Sequence, residues 1–320
     1  MKATASHKSQ SKQYRISGHE SFSFRYAWLP KMVQLIDEGK SSIDDDELMV
    51  ELGLGKNMVR SARFWTLATD VAQPDKTGGP RSLKLTPFGK TLFGKNGCDP
   101  YLEDIKTLWL LHWKLSTAVE KPLLAWDYLF SKWHEPEITR SIFAKKLGAE
   151  ANRIESSISN TTVDQHTNVF FHTYVSTRGK KGKIQEDTLD CPLVELGFLK
   201  KIGEREEAEQ KRREAVYAID REIKDDISVN LFQYCIADFW QSRFFRENTL
   251  SLREIAHGAN SPGRAFALQE EVVREHMKNV SNLGGFFSFS ESSLISHLTK
   301  NADITDKELL TFIKAIYSAK

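Results

Sequence analysis

The sequence predicts a mainly α-helical protein with small β-hairpins, an α+β fold. Apolar residues recur at helical spacing through much of the chain, and helix-capping residues mark the ends of several of these segments. A glycine- and proline-rich hairpin follows the third predicted helix. We expect a flexible basic arm over 1–16, a winged-helix domain over 17–100, a helical connector over 101–136, a second winged-helix-like module over 137–224 and a helical C-terminal domain over 225–320.

Capping residues and one proline predict the first elements. Ser17 and Glu20 fit a capping box, which would begin a helix. Aromatic residues alternate with small or polar ones over 22–28, which instead favours a strand, and both interpretations stay open. Pro30 suits the first turn of a helix that ends near Gly39.

Two further helices and a hairpin complete the predicted N-terminal domain. The acids Asp44–Glu47 are favourable at a helix N-terminus, and Gly53 ends that helix. A basic helix follows at once, and then "PDKTGGPRSLKLTPFG" reads as a hairpin with Gly78 to Pro80 at its tip. Three helices followed by a hairpin are typical of a winged helix-turn-helix, whose third helix enters the DNA major groove.

The third helix carries a cationic stripe. At about 100° per residue, Lys56, Arg60 and Arg63 fall on one face, while Met58 and Trp65 fall on the other. The stripe either contacts phosphates and base edges or is a solvated surface, and the helix order favours DNA. The residues expected to contact DNA are Lys56, Asn57, Arg60, Arg63 and Lys84, with Arg178, Lys180, Lys181 and Lys183 from the glycine-spaced loop "RGKKGK".

The remainder of the chain is predicted from its periodicity. The tryptophan- and leucine-rich segment 101–133 reads as buried connecting helices. The second module is expected to contain a helix-turn-helix with its turn at Gly148, a strand over "TNVFFHTYV", a solvated helix or linker over "GEREEAEQKRREA" and a strand over "AVYAIDR". From Asp225 onward the pattern is helical.

A polar group among the N-terminal aromatics is a candidate for catalysis. His19 could act as a general base, and Arg25 could stabilise a pentavalent phosphate beside Glu20. In the structural alternative, Glu20 only completes the capping box and pairs with Arg25. Asp164, His166 and His172 share a parity that would place them on one face of a strand, but they are a weaker metal candidate, since the separation of His166 from His172 exceeds that of most chelating pairs.

A carboxylate group follows the cationic loop. Glu186, Asp187 and Asp190 could bind Mg²⁺ or another divalent cation, which phosphodiester cleavage generally uses, and Asp187 and Asp190 would then be catalytic. Alternatively, one of these acids caps the following helix. The sequence contains no Walker A, GxGxxG, HExxH or GxSxG pattern, so nucleotide hydrolysis, dinucleotide chemistry and common hydrolase mechanisms lack support.

Composition restricts the class of protein further. Three separated cysteines without a CxxC pair argue against a disulfide framework and favour a reducing cytoplasm. There is no secretory signal pattern and no long apolar run. The formal net charge is only +2, so any affinity for nucleic acid depends on where the charges lie.

Several stretches resemble a known bacterial family. "SGHESFSFRYAWLPK", "LGLGKNMVRSARFW", "LTPFGKTLF", "HTYVSTRGKKGKIQEDTLDCPLVELGFL" and "SPGRAFAL" are similar to the SspB-like family of DNA phosphorothioation-associated proteins. The resemblance extends from about Ser17 to Leu268, and the tail "GGFFSFSESSLISHLTK" diverges from it.

The resemblance implies a DNA nicking endonuclease of a bacterial anti-phage defence system. Its nicks would assist the exchange of a backbone oxygen for sulfur. The implied partners are double-stranded DNA, a cysteine desulfurase, an ATP-pyrophosphatase-type sulfurtransferase and an ATPase, with a homodimer as a further option. The alternative function is a non-catalytic DNA-binding adaptor that recruits the sulfur-transfer enzymes.

Overall fold

The computed structural model describes residues 13–40, 44–154, 158–176, 191–206, 213–292 and 295–318. Helices dominate these residues and the strands form small antiparallel sheets, so the predicted mainly α, α+β class is confirmed. The first six helices are α1 (Trp28–Asp37), α2 (Asp45–Leu52), α3 (Lys56–Ala68), α4 (Pro87–Phe93), α5 (Ile105–Thr117) and α6 (Leu124–Lys132). The later helices are α7 (Arg140–Ile154), α8 (Asn160–Tyr174), α9 (Val229–Arg243), α10 (Leu252–His257), α11 (Pro262–Ala265), α12 (Glu270–Asn282) and α13 (Asp306–Ser318), with a short 3-10 helix at Pro192–Leu196.

The strands pair in three separate sheets. Their bounds are β1 (Ala72–Pro74), β2 (Leu83–Leu85), β3 (Glu137–Ile138), β4 (Leu199–Glu206), β5 (Arg213–Ile219), β6 (Thr249–Ser251), β7 (Phe287–Glu291) and β8 (Ser296–Lys300). The first sheet is the β1–β2 hairpin. The other two have the orders β3-β5-β4 and β6-β8-β7, and neighbouring strands are antiparallel in all three sheets.

The first three helices and the hairpin follow the order predicted from the sequence. Asp44 caps α2 by accepting hydrogen bonds from the backbone N–H groups of Asp46 and Glu47. Gly53 ends α2 with φ 67°, a left-handed conformation that suits glycine. Pro30 lies in the first turn of α1, as expected.

The segment before α1 is neither the predicted helix nor the predicted strand. Gly18, Glu20 and Ser21 all have positive φ angles, which a right-handed helix cannot contain. No capping box forms, and α1 begins only at Trp28. The segment instead packs on other elements, since Arg15 N–H donates to the Pro122 carbonyl at 2.8 Å.

Two predictions for the second module were wrong. Helix α7 continues through Gly148, which lies where α7 packs on α8: a Cβ there would be 3.9 Å from Val163. The segment "TNVFFHTYV" belongs to α8, not to a strand. The residues buried in α8 include Val163, His166, Phe170 and Tyr174, a spacing of three or four that overrides the local β-propensity of the segment.

The predicted strand at "AVYAIDR" is confirmed over residues 215–219, which belong to β5. The mixed-charge run before it was expected to be a helix or linker, but Gly203–Glu206 extends β4 and Arg213 begins β5. The C-terminal region is helical as predicted, but it also contains the β6-β8-β7 sheet, which periodicity did not predict. Short strands such as β7 contain too few residues for alternation to distinguish them from a loop.

Among the described residues, the buried apolar side chains other than Val216 form one cluster that extends from Phe24 to Ile316. The predicted core role of the tryptophan-rich segment is confirmed, because Trp109, Trp113 and Trp126 are each at most 2% exposed. No helix among the described residues is both long and apolar enough to cross a lipid bilayer.

Candidate nucleic-acid interface

Helix α3 has one buried face and one exposed cationic face. Val59, Ala62 and Trp65 are fully buried, whereas Lys56 and Arg60 are exposed. The Trp65 indole N–H donates to the Phe22 carbonyl at 2.9 Å, so the segment before α1 is fixed against α3. The position of the helix is therefore set by core packing, and its N-terminal half is left open to a ligand. Asn57 is exposed beside the two cations.

A single carboxylate gathers the arginines around α3. Asp45, at the start of α2, is nearly buried, with its side chain 11% exposed. Its Oδ2 lies 3.6 Å from Arg60 Nε and 3.5 Å from Arg81 Nη1, and its Oδ1 lies 3.9 Å from Arg63 Nε. We call Asp45, Arg60, Arg63 and Arg81 the arginine cluster. Its three guanidinium groups and one carboxylate leave two net positive charges.

The β1–β2 hairpin extends the cationic surface. Arg63 Nη1 donates to the Arg81 carbonyl at 2.8 Å, which holds the hairpin loop against α3. The Arg81 side chain is 63% exposed, and Lys84, paired with Gln73 in the strand register, is also exposed. The helix and the hairpin thus present their cations together.

Of the three cations predicted on α3, Arg63 is the one turned inward. Its side chain is 13% exposed, compared with 45% for Arg60. Because Arg63 contacts both Asp45 and the hairpin backbone, it links the elements and is poorly placed to reach a phosphate. Ser61, a short polar residue of the same helix, is buried, and its hydroxyl lies 3.4 Å from the Phe22 carbonyl.

His19 lies in the core and not in an open site. It is 3% exposed, and its Nε2 is 3.2 Å from Nδ1 of His166 in α8. The Ala125 N–H donates to His166 Nε2 at 3.1 Å, so the neutral His166 ring carries its proton on Nδ1 and donates it to His19. The lone pair of His19 Nε2 is therefore already engaged. His166 belongs to a helix, so its predicted arrangement with His172 on one strand face was wrong.

Burial makes the histidine pair sensitive to acid. It lowers the pKa of His19 to about 4 and also lowers the pKa of His166, which the neighbouring His19 lowers further. Both folded-state pKa values lie below the unfolded value of about 6.5, so the unfolded chain takes up protons first as the pH falls. Their contribution to stability is complete above pH 6.5 and is lost as the pH falls toward 4.

We expect the free energy of unfolding to fall between pH 6.5 and 5, with a slope that approaches about 1.4 kcal/mol per pH unit for each such histidine. Urea unfolding at a series of pH values measures this slope. Replacing His19 by Asn should reduce the number of protons taken up on unfolding by about one and so lower the slope. Replacing the exposed His134 by Asn should not change the slope. A wild-type slope of zero in this window would contradict the buried neutral pair.

The other nominated site residues are dispersed or lie outside the described residues. Glu20 is half-buried in the turn with positive φ, and the Arg25 guanidinium lies 5.8 Å from the centre of the Trp28 ring. The nominated residues that lie outside the described part of the chain are Arg178, Lys180, Lys181, Lys183, Glu186, Asp187 and Asp190.

The described residues supply no alternative metal centre. Among them, no group of three or more His, Cys, Asp or Glu side chains is placed to hold a metal ion. The described donors therefore do not form a site that fits Mg²⁺.

Sequence reasoning missed two residues of the cationic surface. Asp45 was read only as a favourable charge at a helix N-terminus, and its role in gathering arginines depends on tertiary contacts. Arg81 was included in the hairpin but not among the DNA-binding candidates. The position of Arg81 beside the glycines at the tip of the predicted hairpin could have indicated a DNA contact, because the hairpin of a winged helix lies against the DNA backbone.

Together, the fold and this surface define a mainly helical protein with a basic face. We call this face, formed by the exposed cations Lys56, Arg60, Arg81 and Lys84 of α3 and the hairpin, the helix-and-hairpin face. The chain belongs to the family described as "Protein of unknown function (DUF4007)", whose model matches residues 16–317. No curated protein sequence matches the chain.

Two solved structures share the fold. One is described as "SspB crystal structure": it is 22% identical with a TM-score of 0.81, and the match covers 96% of this chain and 90% of that one. The other, "Magnesium ion-bound SspB crystal structure", is also 22% identical with a TM-score of 0.80, and the match covers 95% and 88%. The resemblance to SspB-like proteins noted in the sequence is therefore confirmed at the level of fold.

Proposed function

We propose that this protein binds double-stranded DNA and nicks it to assist phosphorothioate modification of the DNA backbone in a bacterial anti-phage defence system. The observation that carries the proposal is the cationic surface shared by α3 and the hairpin, where Lys56, Arg60 and Arg81 are exposed together. The SspB-like fold supports the assignment to a phosphorothioation system.

The surface suits a phosphate backbone because of how its charges are held. Asp45 holds the arginine cluster in place but neutralises only one of its three charges. The guanidinium groups of Arg60 and Arg81 can therefore exchange part of their contact with Asp45 for DNA phosphates. Guanidinium groups bind phosphates in a bidentate geometry, and their fixed positions limit the entropy lost on binding.

The element order supports a winged-helix mode of docking. Helices α1 and α2 both pack on α3, and the hairpin follows α3 directly. In such a domain the third helix enters the major groove, and the hairpin follows the adjacent backbone. Lys56, Asn57 and Arg60 would reach base edges or phosphates near the start of α3, and Lys84 would contact the flanking backbone.

We assign the nicking step to Asp187 and Asp190, which lie in one of the stretches that resemble the SspB-like family. Glu186 would be a further ligand of Mg²⁺ or another divalent cation. One SspB structure is described as magnesium-bound, which is compatible with this assignment. The partners proposed for the pathway are the cysteine desulfurase, the ATP-pyrophosphatase-type sulfurtransferase and the ATPase.

A plasmid assay tests the nicking step. Purified protein with Mg²⁺ should convert supercoiled plasmid to open circles, and a chelator should stop the conversion. The Asp187→Ala, Asp190→Ala double variant should nick at least about 100-fold more slowly, because loss of the outer-shell partners of metal ligands alone costs about 10–100-fold. Nicking at the wild-type rate by this variant would remove both residues from the site.

One observation favours the adaptor function instead. His19, the nominated general base, is buried and hydrogen-bonded to His166, so it cannot reach a phosphodiester in this conformation. A non-catalytic adaptor would bind DNA with a steep salt dependence and leave the plasmid supercoiled with every divalent metal.

A further inference from the structure

A cavity of about 410 Å³ lies at the end of α6, where helices α10, α11 and α12 approach the end of β5. We call it the two-arginine cavity, because Arg221 and Arg264 both line it, beside apolar side chains such as Phe130 and Leu268. Its volume lies within the range of small-ligand sites. None of the cations of the helix-and-hairpin face lines it, so it is a separate feature of the molecule.

Arg264 is half-buried and is held in place by a neutral partner. Its Nη2 donates to the carbonyl of Trp133, the C-cap residue of α6, at 2.9 Å. A carbonyl group accepts this hydrogen bond without cancelling the positive charge. Among the described residues, no carboxylate oxygen lies within 4 Å of this guanidinium group. Burial lowers the pKa of Arg264 and the nearby Arg221 lowers it further, so two like charges are neighbours in the cavity.

Arg221 adds a positive charge that the acids around it do not compensate. Its side chain is exposed and makes no ion pair or hydrogen bond within the described part of the chain. The adjacent acids Asp220 and Glu222 both pair with Lys200, at 3.3 and 2.7 Å. Lys224 lies near the same two acids, and Arg221 lowers the pKa of that lysine. Because two lysines already balance the two acids, the charge of Arg221 is in excess.

The carboxylate among the described lining residues is Glu270, and a network of cations balances its charge. Its Oε1 lies 3.4 Å from Arg274 Nη2, and its Oε2 lies 2.8 Å from His257 Nε2. Arg274 and Lys278 also pair with Glu291, so this network contains two acids and two permanent cations. The two arginines of the cavity therefore give it a net positive charge.

Two guanidinium groups in one cavity repel each other, and an anion bound between them removes that repulsion. Phosphate suits them, because guanidinium groups bind its oxygens in a bidentate geometry with charge-assisted hydrogen bonds. An extended polyanion fits less well, because the exposed Glu222 follows Arg221 and Glu270 lines the cavity. We propose that the two-arginine cavity binds a small molecule through its phosphate group, either inorganic phosphate or a phosphate monoester. This site is independent of the proposed DNA-binding function.

Isothermal titration calorimetry at constant ionic strength tests the proposal with inorganic phosphate, adenosine monophosphate and adenosine as probes. The two phosphate-bearing probes should bind one site per chain, and adenosine should not bind. The tighter of the two identifies the source of the phosphate group. Arg221→Ala and Arg264→Gln should each weaken binding about 10-fold, the loss expected for one charge-assisted hydrogen bond.

Both variants should fold. Arg221 is exposed, and the glutamine of Arg264→Gln retains an N–H donor for the Trp133 carbonyl. Circular dichroism and the thermal unfolding temperature check this. The matched control is Lys307→Ala, which removes one exposed cation outside the cavity and should bind phosphate as wild type does.

Three results would overturn the phosphate site. The first is binding of inorganic phosphate and adenosine monophosphate no stronger than that of chloride or adenosine. The second is wild-type affinity in both Arg221→Ala and Arg264→Gln. The third is displacement of bound phosphate by a short duplex, which would make the cavity part of a DNA-binding surface. The first two results leave the helix-and-hairpin face untouched, and loss of DNA binding in the variants of that face leaves the phosphate site untouched.

Discussion

Removing the three exposed cations of the helix-and-hairpin face should nearly abolish DNA binding. We expect the Lys56→Ala, Arg60→Ala, Arg81→Ala triple variant to bind a duplex roughly 100-fold more weakly than wild type at moderate salt. Each lost phosphate contact also reduces the slope of log affinity against log salt, so the slope should fall by about 3. Anisotropy titrations over a salt series measure both quantities.

A matched control removes equal charge from another surface. Arg246, Arg253 and Lys307 are exposed cations of the C-terminal region, and their triple alanine variant should retain most of the affinity. The Lys56, Arg60 and Arg81 variant should also unfold near the wild-type temperature, because these side chains are exposed and Arg63 remains paired with Asp45 at 3.9 Å. If both triple variants bound equally well, the helix-and-hairpin face would not be the DNA-binding surface.

Replacing Asp238 by Ala should cause the largest loss of stability. Asp238 accepts hydrogen bonds from the Trp113 indole at 2.7 Å and from Lys114 Nζ at 3.1 Å. Burial alone would lower the pKa of Lys114, but the neighbouring Asp238 carboxylate raises it well above its ordinary value, so this lysine, whose side chain is only 14% exposed, is charged. Without Asp238 this charge loses its main partner, and the free energy of unfolding should fall by about 3 kcal/mol.

Urea unfolding monitored by tryptophan fluorescence measures this loss. The matched control is Glu135→Ala, which breaks the exposed ion pair between Glu135 and Lys146 and should cost less than about 1 kcal/mol. A comparable small loss for Asp238→Ala would show that Lys114 is solvated after the substitution, contrary to the packing of α5 against α9.

The elements that the sequence predicted well have strong local signals. Asp44 and Gly53 mark both ends of α2, and the hairpin is marked by its glycines and proline. Capping and turn geometry are decided by a few neighbouring residues, so they can be read directly from the sequence. The exposed Lys56 and Arg60 followed from helical periodicity for the same reason.

The features that the sequence did not predict depend on distant contacts. His19 and His166 are 147 residues apart, so their contact cannot be read from the local sequence. The polar residues near His19 therefore suggested an open site, although tertiary packing buries His19. Periodicity placed Arg63 on the cationic face, but its contact with Asp45 turns it inward. In α8 the β-branched and aromatic residues favour a strand locally, and burial against α6 and α7 favours the helix.

The most direct test of the DNA-binding surface is lysine footprinting. Acetylation by a small reagent is followed by mass spectrometry with and without a saturating duplex, using the exposed Lys56, Lys84 and Lys307 as reporters. Protection of Lys56 and Lys84 by several-fold, with Lys307 reacting at its original rate, is the expected result. Unchanged reactivity of Lys56 and Lys84 in a complex that demonstrably contains DNA would contradict the proposed binding surface.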